Sequence, residues 1–162
     1  MAQPQTASAV YLKTLLEYYE EEVSGIAYFN GLAEHIDGGA ARGKLRLLAD
    51  VERRAADAVL PLLEKYGLVP QDEAVLESLG ESHVEPHQRH SWTEFLSYMI
   101  ARYPGYVDDF EGLESLAPED DLPALKLLTH HEVVAIEFAH KEAAGDPDST
   151  TLLREYLDLL PA

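Results

Sequence analysis

The chain has 162 residues, 46% of them apolar, with 30 Asp and Glu against 12 Lys and Arg, and no cysteine. That size and apolar share fit one domain, residues 1–162, around one core, while the formal charge of −18 excludes nucleic-acid binding and attraction to anionic membranes. The missing cysteines exclude disulfides, thiol catalysis and thiolate metal sites.

The opening "MAQPQTASAV" lacks a basic region followed by an apolar run, so no signal peptide is read there. No apolar stretch reaches the ~20 residues that cross a bilayer. The expected location is cytoplasmic.

Helical periodicity runs through most of the sequence, and strand alternation is absent. A first helix is expected over 7–36, ended by "DGG" at 37–39. A second covers 40–67, with Pro61 near its last turns. The short link predicts an antiparallel hairpin. Residues 68–90 are polar and proline-punctuated around one short helix, 72–79, capped by Asp72. A third helical segment covers 91–117, with Ser91 as N-cap and a kink or break at Tyr103–Pro104. A fourth covers 118–145, starting at Pro118 and ending at Gly145. A short terminal helix follows over 149–160, with Asp148 or Ser149 as cap.

Core-facing positions of a bundle helix recur in steps of three and four. On the first helix that seam is Leu15, Tyr19, Glu22, Ile26, Phe29, Ala33 and Ile36, with Glu22 its one charge. On the second it is Leu45, Leu48, Glu52, Ala55, Val59, Leu62 and Tyr66, with Glu52 its one charge. The fourth seam carries His131 and Glu142. The third carries none, with Asp109 and Glu114 flanking it. A buried unpaired carboxylate costs several kcal/mol or takes up a proton, so two such acids call for partners. His131, Asp109 and a metal ion are the candidates. At 1.5 Å per residue, Glu22 and Glu52 lie roughly 25 and 20 Å from the first hairpin turn, and Asp109 and His131 roughly 14 and 20 Å from the second. If the crossover puts those turns at opposite ends, all four groups share one middle layer, and Glu114 and Glu142 lie nearer opposite ends.

With these motifs in place, the chain resembles the ferritin-like superfamily over about residues 7–145. The resemblance implies an all-α, ferritin-like four-helix bundle of two antiparallel hairpins joined by a long crossover. It also implies a mid-bundle site for iron or manganese, built from a Glu on each of two helices and a Glu-x-x-His on each of the others. Glu22 and Glu52 match the glutamates of the first two helices. Ala55 stands where the family places histidine, and Leu128 stands where a glutamate would precede His131. The literal "EFAH", Glu137 to His140, lies off the stripe of Leu128, His131 and Phe138 and is read as accidental. "YVDDFEGLESLAPEDD" followed by "HHEVVAIEFAHKEAAGD" is similar to an uncharacterised bacterial branch of that superfamily. The two-metal motif is degraded. Glu22, Glu52, Asp109 and His131 still suit one hard or borderline divalent ion, with redox or oxygenase-like chemistry expected if iron or manganese binds. The same groups also suit a metal-free polar cluster in a non-catalytic binding module. A haem-oxygenase-like helical enzyme is a third reading, and a homodimer is the expected assembly.

His83, His87 and His90 around Pro86 read as a polar loop rather than a zinc clasp. Tyr11, Tyr19, Tyr66, Tyr103 and Tyr106 have core phases, with hydroxyls seeking polar partners.

Overall fold

The computed structural model describes residues 6–159, and every regular element among them is helical. The element order is α1 (Ala9–His35), α2 (Gly39–Tyr66), α3 (Glu73–Ser82), α4 (Trp92–Arg102), α5 (Pro104–Leu116), a 3-10 turn (Glu119–Asp121), α6 (Leu122–Ala143) and α7 (Thr151–Leu157). None of these helices is long and apolar enough to cross a membrane.

The ends of the helices follow from local chemistry. Ser8 caps α1 by accepting from the Tyr11 amide at 3.1 Å. Gly38, at φ 102°, makes the sharp link into α2. Gly67, at φ 65°, ends α2 in the left-handed conformation. Ser91 and Glu94 form a reciprocal capping box on α4. Asp72 occupies the N-cap of α3 without making a side-chain bond, and Thr150, not Asp148 or Ser149, holds the N-cap position of α7. The expected end of that last helix at residue 160 lies outside the described residues. Pro61 sits inside a continuous α2, with its ring exposed. The carbonyl it deprives of a helical partner belongs to Asp57, an exposed residue. The segment expected over 91–117, with a kink or break at Tyr103–Pro104, is two helices parted at Tyr103, where Pro104 starts a new first turn.

Two polar knots mark the ends of the molecule. At one, Glu142 near the end of α6 takes Lys44 of α2 at 2.5 Å, Trp92 Nε1 of α4 at 3.1 Å and Ser149 Oγ at 2.6 Å. At the other, Asp121 before α6 accepts from Tyr11 of α1 at 2.8 Å, and from Lys65 and Tyr66 of α2 at 2.6 and 2.5 Å. The α1–α2 link therefore lies at the opposite end from the α5–α6 link.

Between the knots the apolar core comes in two large parts. Phe29, Leu48, Phe95, Met99 and Phe138 belong to the first. Tyr11, Leu15, Val59, Leu63, Phe110 and Leu128 belong to the second. Each fully buried Leu or Phe contributes ~1.5–3 kcal/mol through loss of apolar surface from water. The crossover helix α3 lies against α1 so closely that a Cβ on Gly80 would stand 2.0 Å from the Ser24 carbonyl oxygen. Only glycine permits that approach.

Candidate functional site

The acids singled out on α1 and α2 meet a histidine of α6 where the two core parts join. Glu22 follows Leu15 and Tyr19 down the inner face of α1, and Phe29 and Ala33 continue that face below it. His131 and Glu132 are 1% and 4% exposed and Glu22 is 4% exposed. His131 Nε2 stands 2.9 Å from Glu22 Oε2, 3.3 Å from Glu52 Oε2 and 3.4 Å from Glu132 Oε2. Two tilted aromatic rings lie near the imidazole, Phe110 at 5.6 Å and Tyr156 at 6.4 Å between centroids. Tyr156 is itself fixed by donating to the Leu127 carbonyl at 2.8 Å. His131 Nδ1 donates to the Leu128 carbonyl, one turn back on its own helix. That bond assigns the hydrogen to Nδ1 and directs Nε2 at the carboxylates.

Two of these atoms are orphans. Glu22 Oε2 and His131 Nε2 are buried and close, yet neither makes an aligned hydrogen bond. Glu22, Glu52 and His131 are also the one group of three such side chains, among the described residues, whose ligand atoms lie within 4.8 Å of one another. Two donors each ~2.1 Å from one ion, at tetrahedral or octahedral angles, stand ~3.0–3.4 Å apart. The spacings from Nε2 to the two carboxylates fall close to that range. Gly25 makes room for the arrangement, since a Cβ there would lie 3.2 Å from the Glu52 carboxyl carbon.

The electrostatics form a self-balancing set. Burial pushes the Glu22 carboxyl well above its ordinary range, and the charge of Glu52 adds to the effect. Burial alone would raise Glu52 too, but the proton it shares with Glu22 and the His131 charge outweigh it and hold Glu52 low. Burial pulls His131 down, yet the facing Glu22 and Glu52 charges override it and hold the imidazolium well above its ordinary value. Burial pushes Glu132 up to about 8. Without a metal, one imidazolium faces one carboxylate, with Glu22 and Glu132 neutral.

A cavity of about 680 Å³ reaches this cluster from outside, between α1, the α3 crossover and the α4–α5 pair. Glu22, Glu52, Glu132 and Tyr103 line its inner part. Burial keeps the Tyr103 hydroxyl protonated, aided by Tyr28 and the nearby acids Glu132 and Glu52.

Asp109 does not join the cluster. The buried face continues through Tyr103 to Phe110 and Leu113 of α5, and Asp109, which flanks it, is exposed beside Tyr18 and Glu21. Glu132 instead supplies the fourth group. A one-seam reading misses it because α6 packs against α2, α4, α5 and α7 together, which buries an arc wide enough for both His131 and its neighbour. Glu137 and His140 are exposed, as their phase predicts. Glu142 and Glu114 lie away from the cluster, the latter accepting from Thr129 Oγ1 at 2.5 Å. His83, His87 and His90 belong to no three-ligand group. His87 Nδ1 lies 2.5 Å from the Tyr28 hydroxyl, and its ring stacks on His90 at 5.4 Å.

No family model, curated protein or solved structure matches the chain.

Proposed function

We propose that the chain is a ferritin-like helical protein that holds one divalent transition metal, iron or manganese, between Glu22, Glu52 and His131. The observation that carries this reading is the convergence of three ligand atoms, from buried Glu22 and His131 and half-buried Glu52, two of them without hydrogen-bond partners, at the spacing of metal ligands. A nitrogen and two carboxylate oxygens suit a borderline ion better than a soft one. A bound iron or manganese would supply redox chemistry of an oxygenase-like kind, at the end of a cavity open to small molecules.

The protein's own groups have separate tasks in this reading. Leu128 fixes the His131 tautomer. Glu22 and His131 would each release a proton to solvent when such an ion is held, so two positive charges replace two and the site stays neutral. Glu132, whose carboxyl burial pushes up to about 8 without the ion, stands beside the ligands and would serve as a proton donor at its carboxyl oxygen. Tyr103 closes the inner wall next to it.

The runner-up is a metal-free binding module in which the same cluster is a polar network. The charge balance without any ion favours it. Elemental analysis of protein purified without chelator, and after anaerobic reconstitution with Mn(II) or Fe(II), separates the two. The metal reading expects one ion per chain in the wild type and loss of that ion in Glu52→Ala. Absence of metal from the reconstituted wild type selects the module.

A further inference from the structure

The cavity above the cluster has a composition that specifies a ligand class. Its walls are aromatic, with Tyr28, Tyr98 and Tyr106 among them, and α1 contributes Glu17, Glu20 and Glu21 to its lining. Glu21 is crowded by like charge, its carboxyl raised by burial and then by Asp109 and Glu17. The lining holds one permanent cation, Arg102, which is already engaged with the Tyr106 hydroxyl. Inside the same cavity Ser24 is 8% exposed, and its hydroxyl has no hydrogen-bond partner. A serine within a helix ordinarily bonds back to a carbonyl of the preceding turn or faces water. This one does neither.

Aromatic faces attract cations through their quadrupoles, more strongly where water is excluded. Glu17 already has Lys13 at 3.8 Å, but Glu20 and Glu21 face no cation among the described residues and add to that attraction, as does a chain of net charge −18. A neutral aromatic ligand would use the rings but leave the acids uncompensated. An anion would meet repulsion from α1 and from the inner cluster.

We infer that the cavity binds an organic amine: a cationic nitrogen on an apolar or aromatic body, lodged among the tyrosines, with Ser24 Oγ as its buried hydrogen-bond partner. This deepens the proposed function by naming the substrate class of the same site, and the claim that the amine is a substrate rests on that reading. Its binding does not require the metal.

The test is calorimetric titration of metal-free full-length protein with benzylamine and with benzyl alcohol, in 0.15 M salt to screen diffuse surface attraction. Leu79→Trp, at a cavity-lining residue 49% exposed and outside the cluster, fills the entrance without disturbing the core. Ser24→Ala removes the buried hydroxyl. We expect saturable 1:1 binding of benzylamine and at least tenfold weaker binding of benzyl alcohol. Leu79→Trp should cost at least tenfold in benzylamine affinity and Ser24→Ala a few-fold, both with unchanged circular dichroism. Equal binding of the alcohol, equal binding by Leu79→Trp, or no saturable binding overturns the inference. If amine binding fails while one metal ion still binds, the inference falls alone. If amine binds and metal does not, the metal reading falls and the amine site stands.

Discussion

Glu22 Oε2 and His131 Nε2 face each other at 2.9 Å in the interior without forming an aligned hydrogen bond. Two buried polar atoms so placed cost stability unless something else satisfies them, about 1–3 kcal/mol for each unsatisfied group. The proposed metal ion would satisfy both. Glu52, on the neighbouring helix, completes the triangle.

The two acids differ in what they do without metal, so leucine at each has opposite effects. Glu22 is held protonated by burial. Glu22→Leu removes a desolvated polar group and should leave metal-free protein as stable or up to about 1 kcal/mol more stable. Glu52 is the carboxylate that balances the imidazolium. Glu52→Leu strands that charge and should destabilise by about 3 kcal/mol. Urea unfolding in the presence of chelator measures both. Equal effects of the same sign would refute the assignment of charge.

Metal-free stability should fall as pH rises from 5.5 to 8. His131 has a raised folded pKa, so its contribution is complete below about 6.5 and is lost as pH climbs through the folded value. Glu132 is held protonated up to about 8 in the fold, while the unfolded chain releases that proton near ~4.3, which disfavours folding across the same window. Both signs agree. The melting temperature in chelator should drop by roughly 5 °C or more between those pH values. Glu132→Gln should flatten that dependence beyond what general acidic self-repulsion leaves. Metal affinity should move oppositely, rising with pH as about two protons leave per ion. Titrations in buffers of different ionisation heat count those protons.

Gly25 and Gly80 separate site from scaffold. Gly25→Ala gains up to ~1 kcal/mol of helix propensity but presses on the Glu52 carboxyl at 3.2 Å. The expected result is a normally folded protein with at least about tenfold weaker metal binding, since misplaced ligands lose affinity on that scale. Gly80→Ala drives a methyl into the Ser24 carbonyl at 2.0 Å. It should loosen the α3 crossover and cost ~1–3 kcal/mol. Thermal melts beside metal titrations of both variants distinguish these outcomes.

Asp121 locks the far end by accepting from Tyr11, Lys65 and Tyr66. Burial raises its carboxyl, but the hydrogen bonds from Lys65, Tyr66 and Tyr11 win and hold it below the usual range. Its contribution is therefore full above the ordinary aspartate pKa, ~3.9, and is lost as pH falls through the lower folded value. Asp121→Asn should cost about 2–3 kcal/mol at neutral pH. The gap from wild type should close under acid unfolding, as pH falls through that lowered folded value.

The helical architecture was legible because period, glycine stops and prolines agreed along the chain. So were Glu22, Glu52 and His131, because a lone charge on an apolar seam demands a partner. Asp109 was misplaced because it was the nearest carboxylate flanking a seam that itself held: Met99, Tyr103, Phe110 and Leu113 are all buried, and the flanking position of α5 faces outward. Glu132 was illegible because the width of a buried arc depends on how many neighbours a helix has, which one-dimensional spacing does not record. The cavity needed coordinates for the same reason: α1, the crossover and the α4–α5 pair form it jointly.

The most direct test of the metal centre is a crystal grown with Mn(II) and measured on both sides of the manganese absorption edge. One anomalous peak is expected within ~2.0–2.3 Å of His131 Nε2 and of one oxygen each from Glu22 and Glu52. Peaks confined to surface carboxylates, with no density between those three side chains at millimolar manganese, would contradict it.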